Sequence, residues 1–159
     1  MAERVYIETT IVSYLTARPS RDVVIAGHQQ VTLEWWDTRR ADYELCISQL
    51  VIDEASAGDP EAARERLAIL QPMLVLETTS EALELARELI QAGAMPVKAV
   101  GDALHIAVAA TKGIPFLLTW NCRHLANAVM RPKIEAACQG QGFQAPIICT
   151  PEQLLESKP

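Results

Sequence analysis

Glycine is scarce in this chain, 7 of 159 residues, and no glycine-rich loop of the kind that wraps a phosphate is present. Aromatic residues are few, at 5%. The 9 prolines and 7 glycines together are too few for a disordered or low-complexity segment. No apolar run approaches the roughly 18 residues that a membrane span needs, and Met1-Ala2-Glu3-Arg4 leads into a β-rich run with no signal-peptide core. The four cysteines, Cys46, Cys122, Cys138 and Cys149, are scattered without a C-x-x-C pair, which argues against a disulfide framework or zinc knuckle and for a reducing cytoplasm. Positive charge is in deficit: the net charge of -6 gives no reason to expect a broad nucleic-acid-binding surface. An acidic metal site beside a separate basic rim remains compatible with it. No Ser/His/Asp set stands out.

What remains is 50% hydrophobic and 21% charged, enough chain for one real core, and it reads as a single domain over residues 1–159. The most informative stretch is VGDALHIAVAATKGIPFLLTWNCRH, Val100 to His124. Gly101-Asp102 opens a nearly all-apolar helix, Ala103 to Ala110, which must be buried. Lys112-Gly113 stops it, and Ile114 to Thr119 then suits a central parallel strand that closes on polar Asn121. An acid opens a buried helix, and a polar group sits where the next strand leaves the sheet. Ligands of open α/β sheets bind at that edge.

The rest of the chain alternates in the same way. Arg4 to Thr10 is β-rich, broken by Glu8 after Val5, Tyr6 and Ile7, with a short helix expected from Ile11 to Leu15. A long helix from Arg21 to Thr38 carries Val24, Val31 and Trp35 on one face, beside Ile25 and Trp36. Tyr43 to Ile47 reads as a strand, Ser48 as the N-cap of a helix bearing Asp53 and Glu54, and Gly58 as its end. Asp59-Pro60 restarts a helix that Pro72 closes. Met73 to Leu76 is a strand, and Thr79 or Ser80 caps a helix from Glu81 to Gln91 that Gly93 terminates. A helix is expected from His124 to Val129, interrupted at Pro132 and resumed to Ala137. Pro146 to Cys149 gives the last strand, and Thr150-Pro151-Glu152-Gln153 looks like a capping box. Strands separated by helices predict a three-layer α/β/α fold with a mainly parallel sheet of about five strands.

Three acids lie where polarity is out of character: Glu8 ending the first strand, Glu54 on the helix after the second, and Asp102 opening the buried helix. Each has a plain reading as well, as a solvated strand end, a wet helix face and an N-cap. Glu8 and Asn121 end segments that should lie side by side, with Asp102 on the helix feeding one of them. Gathered carboxylates repel and are costly to bury unpaired. A hard divalent cation, Mg²⁺ or Mn²⁺, resolves that conflict and can activate water against phosphorus, so the pattern points to a metal-dependent phosphodiesterase.

The pieces VYIETTIVSYL, ISQLVIDEAS, GDALHIAVA, LLTWNCRHL and IICTPEQLL, in this order and spacing, resemble the PIN-domain family, most closely the VapC-type toxin ribonucleases of toxin–antitoxin pairs. The resemblance runs from about Arg4 to Leu155. It implies that Glu8, Glu54, Asp102 and Asn121 form the catalytic set, with Glu8, Glu54 and Asp102 coordinating Mg²⁺ or Mn²⁺. Thr119 matches the hydroxyl residue that precedes the fourth position. It also implies an RNA substrate, a small antitoxin as partner, a homodimer, and no membrane. Two positions depart from the pattern, because Glu8 and Asn121 stand where the family usually has Asp. Glu8 adds about 1.5 Å of reach, and Asn121 offers a neutral oxygen, so weakened or one-metal catalysis follows.

Neighbouring residues have two readings each. His105, one turn beyond Asp102, is a support or proton carrier for the site, or a buried histidine satisfied by a neighbour. Arg123 and His124 contact a phosphate or simply begin a solvated helix. Trp120 stacks on a base or packs in the core, Cys122 is a small packing residue, and Arg18, Arg21, Arg39 and Arg40 line a phosphate rim or pair with surplus acids. Two other functions compete: a catalytically impaired binding module for RNA or protein on the same fold, and a flavodoxin-like phosphate-handling domain. The last would want an aspartate nucleophile and a late-loop lysine. The first strand ends instead in Glu8, and the basic residue after the late strand is Arg123.

Overall fold

The computed structural model describes residues 2–155; Met1 and 156–159 of the expected 1–159 span lie outside the described residues. Five strands form one sheet: β1 (Glu3–Ile7), β2 (Tyr43–Ser48), β3 (Leu74–Leu76), β4 (Phe116–Leu118) and β5 (Ile147–Cys149). Their order is β3-β2-β1-β4-β5, and every pairing is parallel. Parallel neighbours need crossovers, which the helices supply. Helices α1 (Thr9–Thr16), α2 (Val23–Arg39), α3 (Gln49–Ala55) and α4 (Pro60–Leu70) pack among themselves, while α5 (Ser80–Gln91) packs on α6 (Val100–Thr111) and α7 (Arg131–Gly140). The expected α/β/α sandwich is therefore the observed one.

The sheet centre is dry. Val5, Tyr6, Ile7, Cys46, Ile47, Leu117 and Leu118 are buried, and so are Ala103 and the run Ile106 to Ala110 of α6. The strand order reverses between β1 and β4, the switch point where a crevice opens beyond the strands' carboxyl ends. Beyond the strands the ladder continues: the Glu8 amide donates to the Leu118 carbonyl at 3.1 Å, and the Thr119 amide to Cys149 at 3.0 Å. Glu8 and Thr119 are thus fixed side by side at the switch point.

Several boundaries move from the sequence reading. The first strand stops at Ile7, because Glu8 caps a helix that already starts at Thr9. Helix α2 starts at Val23 behind an Asp22 cap, not at Arg21. Ser48 precedes α3 but makes no capping bond; its hydroxyl is spent on Tyr6, 2.7 Å away. Asp102 is not an N-cap, since α6 begins at Val100. The helix expected from His124 to Val129 is a series of turns instead. The Leu125 and Ala126 amides both turn back to the Asn121 carbonyl, and the regular helix starts at Arg131, with Pro132 in its first turn where a missing N–H is harmless. Cys122 is exposed rather than packed.

Trp120 joins the two halves of the crevice. Its ring stacks on His28 (centroids 4.0 Å apart, planes 11°) and more loosely on Tyr14 at 6.2 Å. Its indole N–H donates to Thr32 Oγ1 at 2.6 Å. This is the core-packing reading of Trp120, and it ties α1 and α2 to the end of β4. All four cysteines are free. Burial raises the thiols of Cys46 and Cys138 to about 11 and that of Cys149 to about 12, so these stay protonated and inert.

Leu117 of β4 has 0% exposure, whereas Leu83 on α5 is 49% exposed. Leu117→Ala should therefore cost about 2–5 kcal/mol, and Leu83→Ala within about 0.5 kcal/mol of nothing, both read by denaturant unfolding.

Candidate metal centre

Glu8 follows β1 directly and is 4% exposed. One oxygen, Oε1, takes every hydrogen bond that the described residues make to this carboxylate: from the Thr10 amide (3.2 Å), the Thr10 hydroxyl (2.5 Å) and the Thr119 hydroxyl (2.6 Å). The two hydroxyls are themselves aimed. Thr10 Oγ1 accepts from the Trp120 amide at 2.8 Å, and Thr119 Oγ1 from the Asn121 amide at 2.9 Å. With their lone pairs occupied by backbone N–H groups, both hydroxyls turn their protons toward Glu8. The plain reading of Glu8 as a solvated strand end fails, because Glu8 is buried and caps α1.

Glu54, on α3, is held in the same style. Its Oε1 accepts from the Thr9 hydroxyl at 2.6 Å and lies 2.8 Å from His105 Nε2. A carboxylate only accepts, so Nε2 carries the hydrogen. The other ring nitrogen, Nδ1, lies 2.7 Å from the Tyr6 hydroxyl, which also lies 2.7 Å from Ser48 Oγ. His105 is thus a buried histidine satisfied on both sides, and one of its partners is the candidate ligand Glu54.

Suitably placed oxygens of Glu8 and Glu54 and a nitrogen of His105 all lie within 4.8 Å of one another. Asp102 does not belong to that set among the described residues. Its Oδ2 is 2.9 Å from His124 Nδ1, and Oδ1 receives no hydrogen bond from the described residues. Gly101, the residue before Asp102, lies beside Glu54, since a Cβ there would stand 3.7 Å from Oε2. The Asn121 side-chain oxygen is turned away to the His124 amide, 3.0 Å, where it closes the turn that delivers His124 to Asp102. Glu8, Glu54 and Asp102 thus each bind neighbours through one oxygen and leave the other without a hydrogen bond from the described residues.

Electrostatics separate the two glutamates. Burial raises the Glu8 carboxyl above its ordinary value, against the lowering influence of His105, Thr10 and Thr119. Burial also opposes the Glu54 charge, but the hydrogen bonds from His105 and the Thr9 hydroxyl prevail and lower it. The Tyr6 phenol is pushed far above its ordinary range by burial, so it keeps its proton. No side-chain cation pairs with Glu8 among the described residues. The Glu8 and Glu54 carboxylates suit a hard divalent ion: each keeps an oxygen that no described residue bonds, and Glu8 is buried without a side-chain counter-ion. His105 does not suit as a ligand, because its two nitrogens already face Glu54 and Tyr6.

Among the remaining sequence candidates, Thr119 is in the site, bonded to Glu8. Arg123 is exposed, and its carbonyl accepts from Asn127 at 2.9 Å. Arg39 and Arg40 are not at this rim. They precede β2, at the opposite end of the sheet, where Arg39 pairs with Asp42 (3.0 Å) and Arg40 lies 4.5 Å above the Trp36 ring. The sequence reading missed Thr9, Thr10, Tyr6, Ser48 and the pairing of His124 with Asp102. Two hydroxyls directly after an acid at a strand-to-helix junction were the one signal that could have found the first two.

A doubly wound parallel sheet with acids at its switch point defines a class of α/β proteins with a candidate cation site at the strand ends. Within that class the chain belongs to the PIN domain family, whose model matches residues 5–126. The fold is shared with a chain of VapBC2 from Rickettsia felis, crystallised with a DNA fragment from their promoter, at a TM-score of 0.58 and 15% identity over 92% of this chain and 98% of that one. It is also shared with VapC20 of Mycobacterium tuberculosis, a Sarcin-Ricin loop cleaving toxin, at 0.57 and 17% identity over 76% of this chain and 92% of that one. No curated protein matches the sequence.

With a raised Glu8 carboxyl, the metal-free protein is most stable while Glu8 is protonated in the folded state. That contribution is complete below the unfolded value near 4.5 and is lost as pH rises through the higher folded value. Glu8→Gln should raise the melting midpoint of metal-free protein at pH 7, with the gain shrinking toward zero below pH 4.5. Thermal unfolding of both proteins across pH, with a chelator present, measures it.

Proposed function

We propose that this protein is a divalent-metal-dependent endoribonuclease of toxin type, with Mg²⁺ or Mn²⁺ held by Glu8, Glu54 and Asp102. The observation that carries this reading is the shared pattern of those three acids, each bonded through one oxygen with the other left over. One-sided bonding of this kind fixes each carboxylate and leaves an oxygen for a further partner. A bound divalent ion supplies Lewis-acid stabilisation of charge at phosphorus and an activated water. The chain's own residues do the rest. Thr10 and Thr119 fix Glu8, Thr9 and His105 fix Glu54, and His124 fixes Asp102. Asn121, at the fourth position of the family pattern, contributes the turn rather than a charge.

RNA is the proposed substrate, entering along the crevice beyond β1 and β4, with Arg123 on its exposed side as a phosphate contact. A small antitoxin that covers this rim, a homodimer and a cytoplasmic location complete the reading. No helix among the described residues is long and apolar enough to cross a membrane. The engagement of Asn121 with His124 favours one competing reading, an impaired RNA- or protein-binding module on the same fold. The pair Glu8→Asp and Asn121→Asp separates them: a parent that leaves RNA intact beside a double variant that cuts it would be a binder.

Purified protein should cleave RNA with Mg²⁺ or Mn²⁺ and stop when a chelator is added. Glu54→Gln and Asp102→Asn should each lower the rate by about 100-fold or more. Intact total and transfer RNA after incubation of nuclease-free wild type with either ion would overturn the reading.

A further inference from the structure

Glu54 is exposed and sits on a helix of seven residues, too short to hold its own geometry. Its orientation is set from the protein interior. Ser48 ends β2, Tyr6 lies on β1, His105 lies on α6 and Glu54 on α3, so four separate elements meet in one line of hydrogen bonds. Tyr6 and His105 are buried, and their rings meet edge to face with centroids 5.6 Å apart and planes at 67°. We propose that Ser48, Tyr6 and His105 form a buried strut that fixes one imidazole tautomer and thereby holds Glu54 in the conformation that receives a divalent ion, with His105 a positioning residue and not a ligand. This rests on the metal-site reading given above and extends it into the core.

The direction of each hydrogen bond follows from the end that has no choice. Glu54 accepts at Oε1, so the His105 hydrogen is on Nε2. Nδ1 of that tautomer accepts, so the Tyr6 hydroxyl donates to it and takes its own hydrogen bond from Ser48. Every polar atom on the line is then satisfied. The same assignment leaves no imidazole lone pair for a metal, although a His105 nitrogen lies within 4.8 Å of both glutamate oxygens. A second polar neighbour of a ligand, fixed in this way, commonly governs metal affinity by about 10–100-fold.

Calorimetric titration of Mn²⁺ into the full chain tests the strut, alongside thermal unfolding and pulsed electron paramagnetic resonance of the bound ion. Tyr6→Phe keeps the ring and removes the hydroxyl, and is expected to weaken Mn²⁺ binding by about 10–100-fold while the protein still unfolds cooperatively. His105→Gln, which returns an amide donor toward Glu54, should bind more tightly than His105→Leu; this pair decides the matter if Tyr6→Phe does not fold. A purely structural role would lower the melting midpoint of Tyr6→Phe and leave its affinity unchanged, which would overturn the strut while the metal site stands. Directly coordinated imidazole nitrogen in the wild-type spectrum would also overturn it. Wild type that takes up no Mn²⁺ removes the metal-site reading itself and the strut with it.

Discussion

Two consecutive threonines, Thr9 and Thr10, hold two glutamates that are 46 positions apart in the chain: Thr10 bonds Glu8, and Thr9 bonds Glu54. They can do so because the backbone turns from strand to helix between Ile7 and Thr9, which sends adjacent side chains to different neighbours. The junction is itself fixed by the ladder bond from Glu8 to Leu118. Everything at the rim depends on that turn. Were β1 to run on through Thr10, as its β-rich composition invites, Thr9 and Thr10 would point to opposite faces of the sheet, and neither carboxylate would be held.

The arrangement resolves a conflict between solvation and placement. A buried carboxylate is costly, and the usual remedy is an arginine or lysine that neutralises it. Here the remedy is two hydroxyls and one backbone amide gathered on one oxygen of Glu8. They lessen the cost without consuming the charge. The histidines serve the other two acids in the same fashion, His105 behind Glu54 and His124 behind Asp102. The site is therefore a set of half-satisfied acids, each restrained from behind.

Much of the fold could be read from the sequence, for identifiable reasons. The burial of α6 follows from its apolar composition, the parallel sheet from alternation of short apolar runs with helices, and the side-by-side placement of the segments that end in Glu8 and Asn121 from the position of the first and fourth strands. What could not be read was the direction of individual side chains. Ser48 has the composition of an N-cap, yet it serves Tyr6. Asn121 occupies the place of an acid, yet its oxygen closes a turn. His124 has the setting of a helix start, yet the segment coils back on Asn121 and brings the imidazole to Asp102. In each case a local propensity was overridden by a partner at least 20 residues away or by a turn that periodicity does not encode.

The two strands at the centre of the sheet are the first of the chain and the fourth, and the bond between Thr119 and Glu8 closes over 111 positions. The Thr10 bonds to Glu8 are local, but the Thr119 bond exists only where β4 lies against β1. The hold on Glu8 is therefore half a property of its own turn and half a property of long-range docking, so whatever loosens β4 from β1 also loosens a carboxylate that β4 does not carry.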